Sequence, residues 1–176
     1  GEREAELNQE RARYRGLFQT SPDAIFLLRD EALVDCNPTA EAMFDVNRET
    51  LFSKNVLDFS PPTQPNGRNS AELIKEYFEK VSTVPMLSFE WRHMRPDHSC
   101  FDAEVRVKTF ENGEAGRMTV AFVRDLTEIK QANAALEQSQ QRLRNIADNI
   151  PGVFCQFQAK QASADSPALH RVLYLS

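Results

Sequence analysis

Cysteine, histidine and tryptophan are scarce in this 176-residue chain, which holds three, three and one of them. Cys36, Cys100 and Cys155 are odd in number and widely spaced. That excludes a disulfide framework and a C-x-x-C metal site, and it points to a reducing, cytoplasmic compartment. His93, His98 and His170 form no H-x-H or H-x-x-x-H pair, so no protein-built zinc site is expected. Positive charge is not in excess. Lys plus Arg is 21 against 26 Asp plus Glu, and a net charge of −5 lacks the basic footprint of a nucleic-acid binder. Long apolar runs are missing too. The longest, Ala24-Ile25-Phe26-Leu27-Leu28, falls far short of the ~20 residues that cross a bilayer, so no membrane contact is expected. No G-x-x-x-x-G-K-[ST] phosphate loop and no nucleophile elbow occurs. Acidic pairs such as Asp102 and Glu104 alternate with basic residues, as on a solvated strand face, so a non-catalytic chain is expected. Gly1-Glu2-Arg3-Glu4 carries no apolar leader and reads as a cut from something longer.

What is present is a 41 % apolar share, enough for one core, in a length that suits one domain plus a fragment. A shift of 129 residues lays Ala5, Leu7, Gln9, Arg13, Arg15 and Pro22 on Ala134, Leu136, Gln138, Arg142, Arg144 and Pro151. The shared order of helix, proline and apolar run reads as an internal repeat, with chance similarity of two amphipathic helices as the bland alternative. The division that follows is an N-terminal helix over 1–20, a domain over 21–128, a helical connector over 129–147 and the truncated start of a second copy over 148–176.

Residues 3–20 have helix formers and no proline, with Leu7, Tyr14, Leu17 and Phe18 at helical spacing, and Ser21-Pro22-Asp23 stops them. Strands are expected over 24–29 and 32–36 about a turn at Asp30-Glu31. Asn37-Pro38 places a capping side chain before a proline at the first helical position, so a short helix follows over 39–44. Short helical segments run on through Val56-Leu57-Asp58-Phe59, and the proline-rich 60–67 is a loop. Asn69-Ser70 starts a longer helix, 71–82, whose stripe is Leu73, Ile74, Tyr77, Phe78 and Val81. Period-two alternation then predicts strands over 86–94, 100–109 and 118–123, joined by turns at Pro96-Asp97 and Asn112-Gly113. Ile25-Phe26-Leu27-Leu28 and Val120-Ala121-Phe122-Val123 are apolar on both faces, so those two strands should be central. The middle helices can cover one side of them. The N-terminal helix or a second subunit is the candidate for the other.

Ile129, Ala132, Leu136, Ser139, Leu143, Ile146 and Ile150 follow 3-4 spacing over three heptads. The simplest reading is the seam of a two-stranded coiled coil in a homodimer. The alternative is one amphipathic helix folding back on its own sheet.

Several segments carry a family resemblance. Tyr14-Arg15-Gly16-Leu17-Phe18 with Ser21-Pro22-Asp23-Ala24-Ile25, Asp35-Cys36-Asn37-Pro38-Thr39-Ala40-Glu41, Phe89-Glu90-Trp91-Arg92-His93, and Phe122-Val123-Arg124-Asp125-Leu126-Thr127-Glu128 resemble, in order, segments of a PAS domain of bacterial signalling proteins. The run Arg144 to Phe154 is similar to the start of another such unit. The resemblance implies an α+β fold: a five-stranded antiparallel sheet with short helices on one face, an N-terminal helix and a C-terminal coiled-coil helix. It also implies a sensory and dimerising role in signal transduction. The signal would pass through Asp125-Leu126-Thr127 into the connector, toward an output domain in the same chain, a histidine kinase first and a diguanylate cyclase second. One departure stands out. The family often has Asp-Gly in the long hairpin, and here it is Asp97-His98, less comfortable at a positive φ.

The resemblance further implies a cavity, for which Phe44, Phe59, Phe78 and Trp91 are the candidate lining. Haem would need a histidine on the long helix, and 71–84 has none. Light-driven flavin chemistry would need a cysteine among the middle segments, and Val46-Asn47-Arg48-Glu49 has none. Cys36 reads as a small buried hydrophobe. His93 and His98 are expected to face solvent near the hairpin. No cofactor is expected to be bound tightly. A non-covalent flavin stacked on Trp91, or a small metabolite, stays open, although Trp91 reads first as a core residue.

Overall fold

A computed structural model describes residues 2–113 and 116–149. The elements are α1 (Glu2–Thr20), β1 (Ala24–Arg29), β2 (Ala32–Cys36), α2 (Pro38–Phe44), α3 (Arg48–Ser53), a 3₁₀ turn (Val56–Phe59), α4 (Ser70–Val81), β3 (Leu87–Met94), β4 (Cys100–Glu111), β5 (Arg117–Asp125) and α5 (Thr127–Asn149). The five strands form one antiparallel sheet in the order β2-β1-β5-β4-β3. The doubly apolar strands are therefore interior, with β5 in the middle.

Asparagines start the helices between the hairpins. The side chains of Asn37, Asn47, Asn55 and Asn69 each accept from free N–H groups of the turn that follows. Asn37 does more. Fully buried, it accepts from Ile25 N at 2.9 Å and Ala40 N at 3.1 Å, and donates to Phe18 O at 3.1 Å and Asp23 O at 3.0 Å. One side chain thus joins the end of α1, the start of β1 and the start of α2. Arg48 straps α3 to β2 through Asp35 and the Cys36 carbonyl. Cys36 is buried in the core, as expected.

The β1–β2 turn puts both Asp30 (φ 48°) and Glu31 (φ 66°) in left-handed backbone, the geometry that matches strand twist in a two-residue hairpin. In the β3–β4 hairpin His98 takes φ 66°, the positive value that a glycine would adopt more freely. The edge strand β3 is covered by the loop before α4. There Gln64, buried, accepts from Arg92 N at 2.7 Å and donates to Arg92 O at 3.2 Å, pairing with the strand as another strand would.

One face of the sheet packs on the middle helices. Trp91, Phe101, Ala103, Val105 and Val123 meet Phe44, Leu51, Phe59 and Leu73 there. The other face differs from expectation. α1 lies beside α2 at the β2–α2 corner, and its Leu7, Tyr14 and Leu17 are exposed. Phe110 and Phe122, on the sheet's outer face, stay more than a third exposed, at 37 % and 38 %. The second copy expected over 148–176 lies outside the described residues, apart from the last two helical positions.

Candidate functional site

A cavity of about 670 Å³ sits between the inner sheet face and the helices α3 and α4 with the 3₁₀ turn. Phe44, Phe59, Phe78 and Trp91, far apart in sequence, all line it. Phe44 is the hub of an aromatic cluster, edge-on to Phe26, Phe59, His93 and Phe101 at centroid distances of 5.7, 5.4, 4.9 and 5.4 Å. Trp91 is 2 % exposed, and its indole N–H donates to Ser60 Oγ at 3.0 Å. It is a core residue and a wall of the cavity at once. Neither Cys36, in the core, nor Cys100, exposed in the hairpin, lines the cavity, so no described thiol is placed to attack a molecule inside. Among the described residues no cluster of ligating side chains suits a metal ion.

His93 is the main correction. It is 4 % exposed and lines the cavity, where solvent exposure was expected. The reason is strand phase. β3 alternates strictly, so the face that carries Leu87, Phe89 and Trp91 carries His93 next. Its ring stacks on Phe101 at 5.3 Å and 30°. Burial pulls its pKa from 6.5 down to about 4; the Phe59 backbone and Asp125 oppose that and Arg95 adds to it. The Phe59 backbone lies beside the ring without reaching hydrogen-bond geometry, and neither ring nitrogen has a partner within the described protein. The signal was present in the sequence as period-two spacing carried one step further. His98, by contrast, is exposed, as expected.

Beyond His93 the contacts run to the end of β5. The Arg95 guanidinium lies over the opposite neighbour of His93, the Phe101 ring, at 4.3 Å. It donates to the Met43 carbonyl at the end of α2 at 2.8 Å, and sits 4.0 Å from Asp125. Asp125 Oδ1 accepts from Thr127 N at 2.8 Å and Thr127 Oγ at 2.5 Å. It thereby satisfies a free N–H in the first turn of α5, at the positive end of that helix's dipole. Leu126 N donates to Asp102 O at 2.9 Å, and Leu126 O accepts the first helical bond, from Lys130 N at 2.9 Å. Asp125, Leu126 and Thr127 therefore form a built junction between strand and helix.

On the outer face, two further groups hold the same turn. Lys130 Nζ donates to Glu90 at 2.8 Å and to Asp102 at 2.9 Å, and Asp102 takes a two-pronged bond from Arg92 at 2.7 and 3.1 Å. The Arg92 fork, aided by Lys130, holds the Asp102 carboxyl down to about 2 against the effect of burial. Sequence reasoning read Asp102 as solvated surface. Only strand register shows Arg92 directly opposite it. Along α5, Ile129, Leu136, Leu143 and Ile146 of the heptad stripe are 53–64 % exposed, and Ala132 and Ser139 are exposed as well. Ile150 lies outside the described residues.

Comparison with known proteins gives the same architecture. The chain is similar to the PAS domain of an HTR-like protein from Haloarcula marismortui, at 25 % identity and a TM-score of 0.58, over 70 % of this chain and 98 % of that one. It shares its fold with a domain of a sensory box sensor histidine kinase/response regulator from Geobacter sulfurreducens (19 % identity, TM-score 0.51, 68 % and 96 % covered). It also shares its fold with a Rhodobacter sphaeroides LOV protein (16 % identity, TM-score 0.52, 68 % of each chain covered). No curated protein sequence matches. A family model described as PAS domain matches residues 22–128, the span of the sheet, its cavity and the strand–helix junction, and the chain belongs to the PAS domain family.

Proposed function

We propose that this chain is the non-catalytic sensory and coupling segment of a cytoplasmic multi-domain signalling protein. Its PAS domain receives the input and the Asp125-Leu126-Thr127 junction is the relay. α5 is the output, paired with the α5 of a second copy as a two-stranded coiled coil. The output domain in the same chain would be a histidine kinase, a proposal supported by the sensor histidine kinase neighbour. The observation that carries the reading is the double use of Asp125, whose carboxylate faces Arg95 of the hairpin and also holds the first turn of α5. A shift of the hairpin changes the field at Asp125 and hence the seating of the helix. The exposed stripe of Ile129, Leu136, Leu143 and Ile146 gives α5 a seam for a partner, and the weak Ala132 and Ser139 positions suit a seam with two arrangements.

Asp125→Ala in the intact signalling protein is expected to uncouple input from output while the isolated chain keeps its fold. Normal signal response in that variant sinks the relay. Native mass spectrometry of this chain is expected to show a dimer. A second reading, a sensor whose cavity holds a small molecule or a flavin, is favoured by the size of the cavity, which lies in the range of ligand sites.

A further inference from the structure

The lining of the cavity changes character from its floor to its mouth. The buried part, from Phe44 and Phe59 to Trp91, Val105 and Val123, is apolar. Two buried lining side chains carry polar atoms, and neither offers one to a guest. The Trp91 indole N–H is already given to Ser60 Oγ at 3.0 Å. Both His93 ring nitrogens are buried within the packing, where the ring meets the Phe44 edge and the Phe101 face. The charged side chains of the lining, Glu31, Lys54, Lys75 and Glu79, are all exposed and so belong to the mouth, two of each sign. Thr119 lies at that end too, opposite Leu28 and beside the β1–β2 turn. The other hydroxyl of the lining, on Tyr77, belongs to a half-buried ring tilted against Phe89 at 4.1 Å.

We infer that the cavity takes a single-headed amphiphile, an apolar tail ending in one polar group, and holds it tail-first with the head at the mouth. The inference rests on the reading of the cavity as a small-molecule site. A polar group carried to the floor would lose its water and find no free side-chain partner there, which is costly. A methyl end meets no such cost, and every methylene that leaves water adds affinity. At the mouth the head keeps its hydration. Both signs of charge stand around it, so neither an anionic nor a neutral head is turned away. Tail length therefore sets the specificity, and head chemistry matters little. A volume of about 670 Å³ has room for such a tail.

The test follows Trp91, the chain's single tryptophan, which lines the cavity, so its emission reports entry. Affinity is expected to rise about fourfold per methylene from hexan-1-ol through octan-1-ol to decan-1-ol. Decanoate should match decan-1-ol within about fivefold, the range of exposed charge interactions. Decane-1,10-diol, whose second hydroxyl would have to reach the floor, should bind at least about tenfold more weakly than decan-1-ol. Ala121→Phe puts a ring into the cavity from β5 and is expected to lose the response to decan-1-ol. Should that variant fail to fold, NMR on the unaltered chain decides: NOEs should join the methyl end of decan-1-ol, and not its hydroxyl end, to the Trp91 ring. Equal binding of diol and alcohol, no gain with tail length, binding that survives Ala121→Phe, or NOEs from Trp91 to the hydroxyl end overturns the inference while a ligand site of another kind stands. No binding of any probe overturns both. None of these outcomes touches the relay, which stands or falls with Asp125→Ala in the intact signalling protein.

Discussion

On the inner face of β3, β4 and β5, Trp91, Phe101, Ala103, Val105 and Val123 are buried against helices, and His93 is the ionisable side chain among them. One residue away along the same strands, Glu90, Arg92, Asp102, Glu104, Arg106 and Arg124 point outward. They pair with one another or with Asp23 and Lys130. The two faces share a backbone and differ in solvent. Inside, a contact is held by exclusion of water and is indifferent to salt. Outside, it is held by charge in a high dielectric, which salt screens. The cavity is therefore built on the face that water leaves. The clamp on α5, Lys130 with Asp102 and Glu90, is built on the face that salt screens, as the proposed relay requires of an element that moves.

The largest expected effect tests the inner face. Phe44→Ala removes the hub of the aromatic cluster and should cost about 3–5 kcal/mol, read as a shift of the denaturant midpoint that is the same at low and high salt. Salt dependence of that loss would break the contrast between the faces.

The next effect is in pH and joins the two faces. His93 protonates near 6.5 in the unfolded chain and only near 4 in the folded one. As pH falls through that window the unfolded state binds a proton that the folded state refuses, so stability drops, by about 3 kcal/mol in all. Above 6.5 this group makes no difference, and below 4 its effect is complete. Asp102 acts later and on the other face, its contribution being lost as pH falls from 3.8 toward about 2. Acid titration followed by circular dichroism should show the first slope vanish in His93→Phe and the second remain. Persistence of the first slope in that variant assigns it elsewhere.

The smallest effect sharpens the outer face. Lys130→Ala, removing an exposed side chain from its two carboxylates, should cost about 0.2–1 kcal/mol at low salt and nothing measurable at high salt. A larger, salt-independent loss would mean that the α5 clamp is a packed part of the body.

Much of the fold was legible because its signals are local. Asn37-Pro38 and Asn69-Ser70 announce helix starts through a side chain reaching an N–H two or three residues on, and alternation in 100–109 fixes which residues share a face. The four cavity aromatics were readable as apolar positions, although only the fold brings them to one cavity. His93 is buried because the period-two phase of β3 outweighs the usual exposure of its residue type. Arg95 and Lys130 carried no local signal at all. Their roles come from partners 30 and 28 residues away, Asp125 and Asp102.

By itself the sequence determined the order of elements, the caps and turns, the buried face of the alternating strands β3 and β4 and the heptad stripe of α5, since each depends on residues within one or two turns of each other. Tertiary structure decided the rest. It set the strand register that puts Arg92 opposite Asp102, brought Phe44, Phe59, Phe78 and Trp91 to one cavity, and gave one carboxylate, Asp125, to both hairpin and helix. Those outcomes depend on contacts between distant segments, whose geometry exists only once the sheet has closed and water has left its inner face.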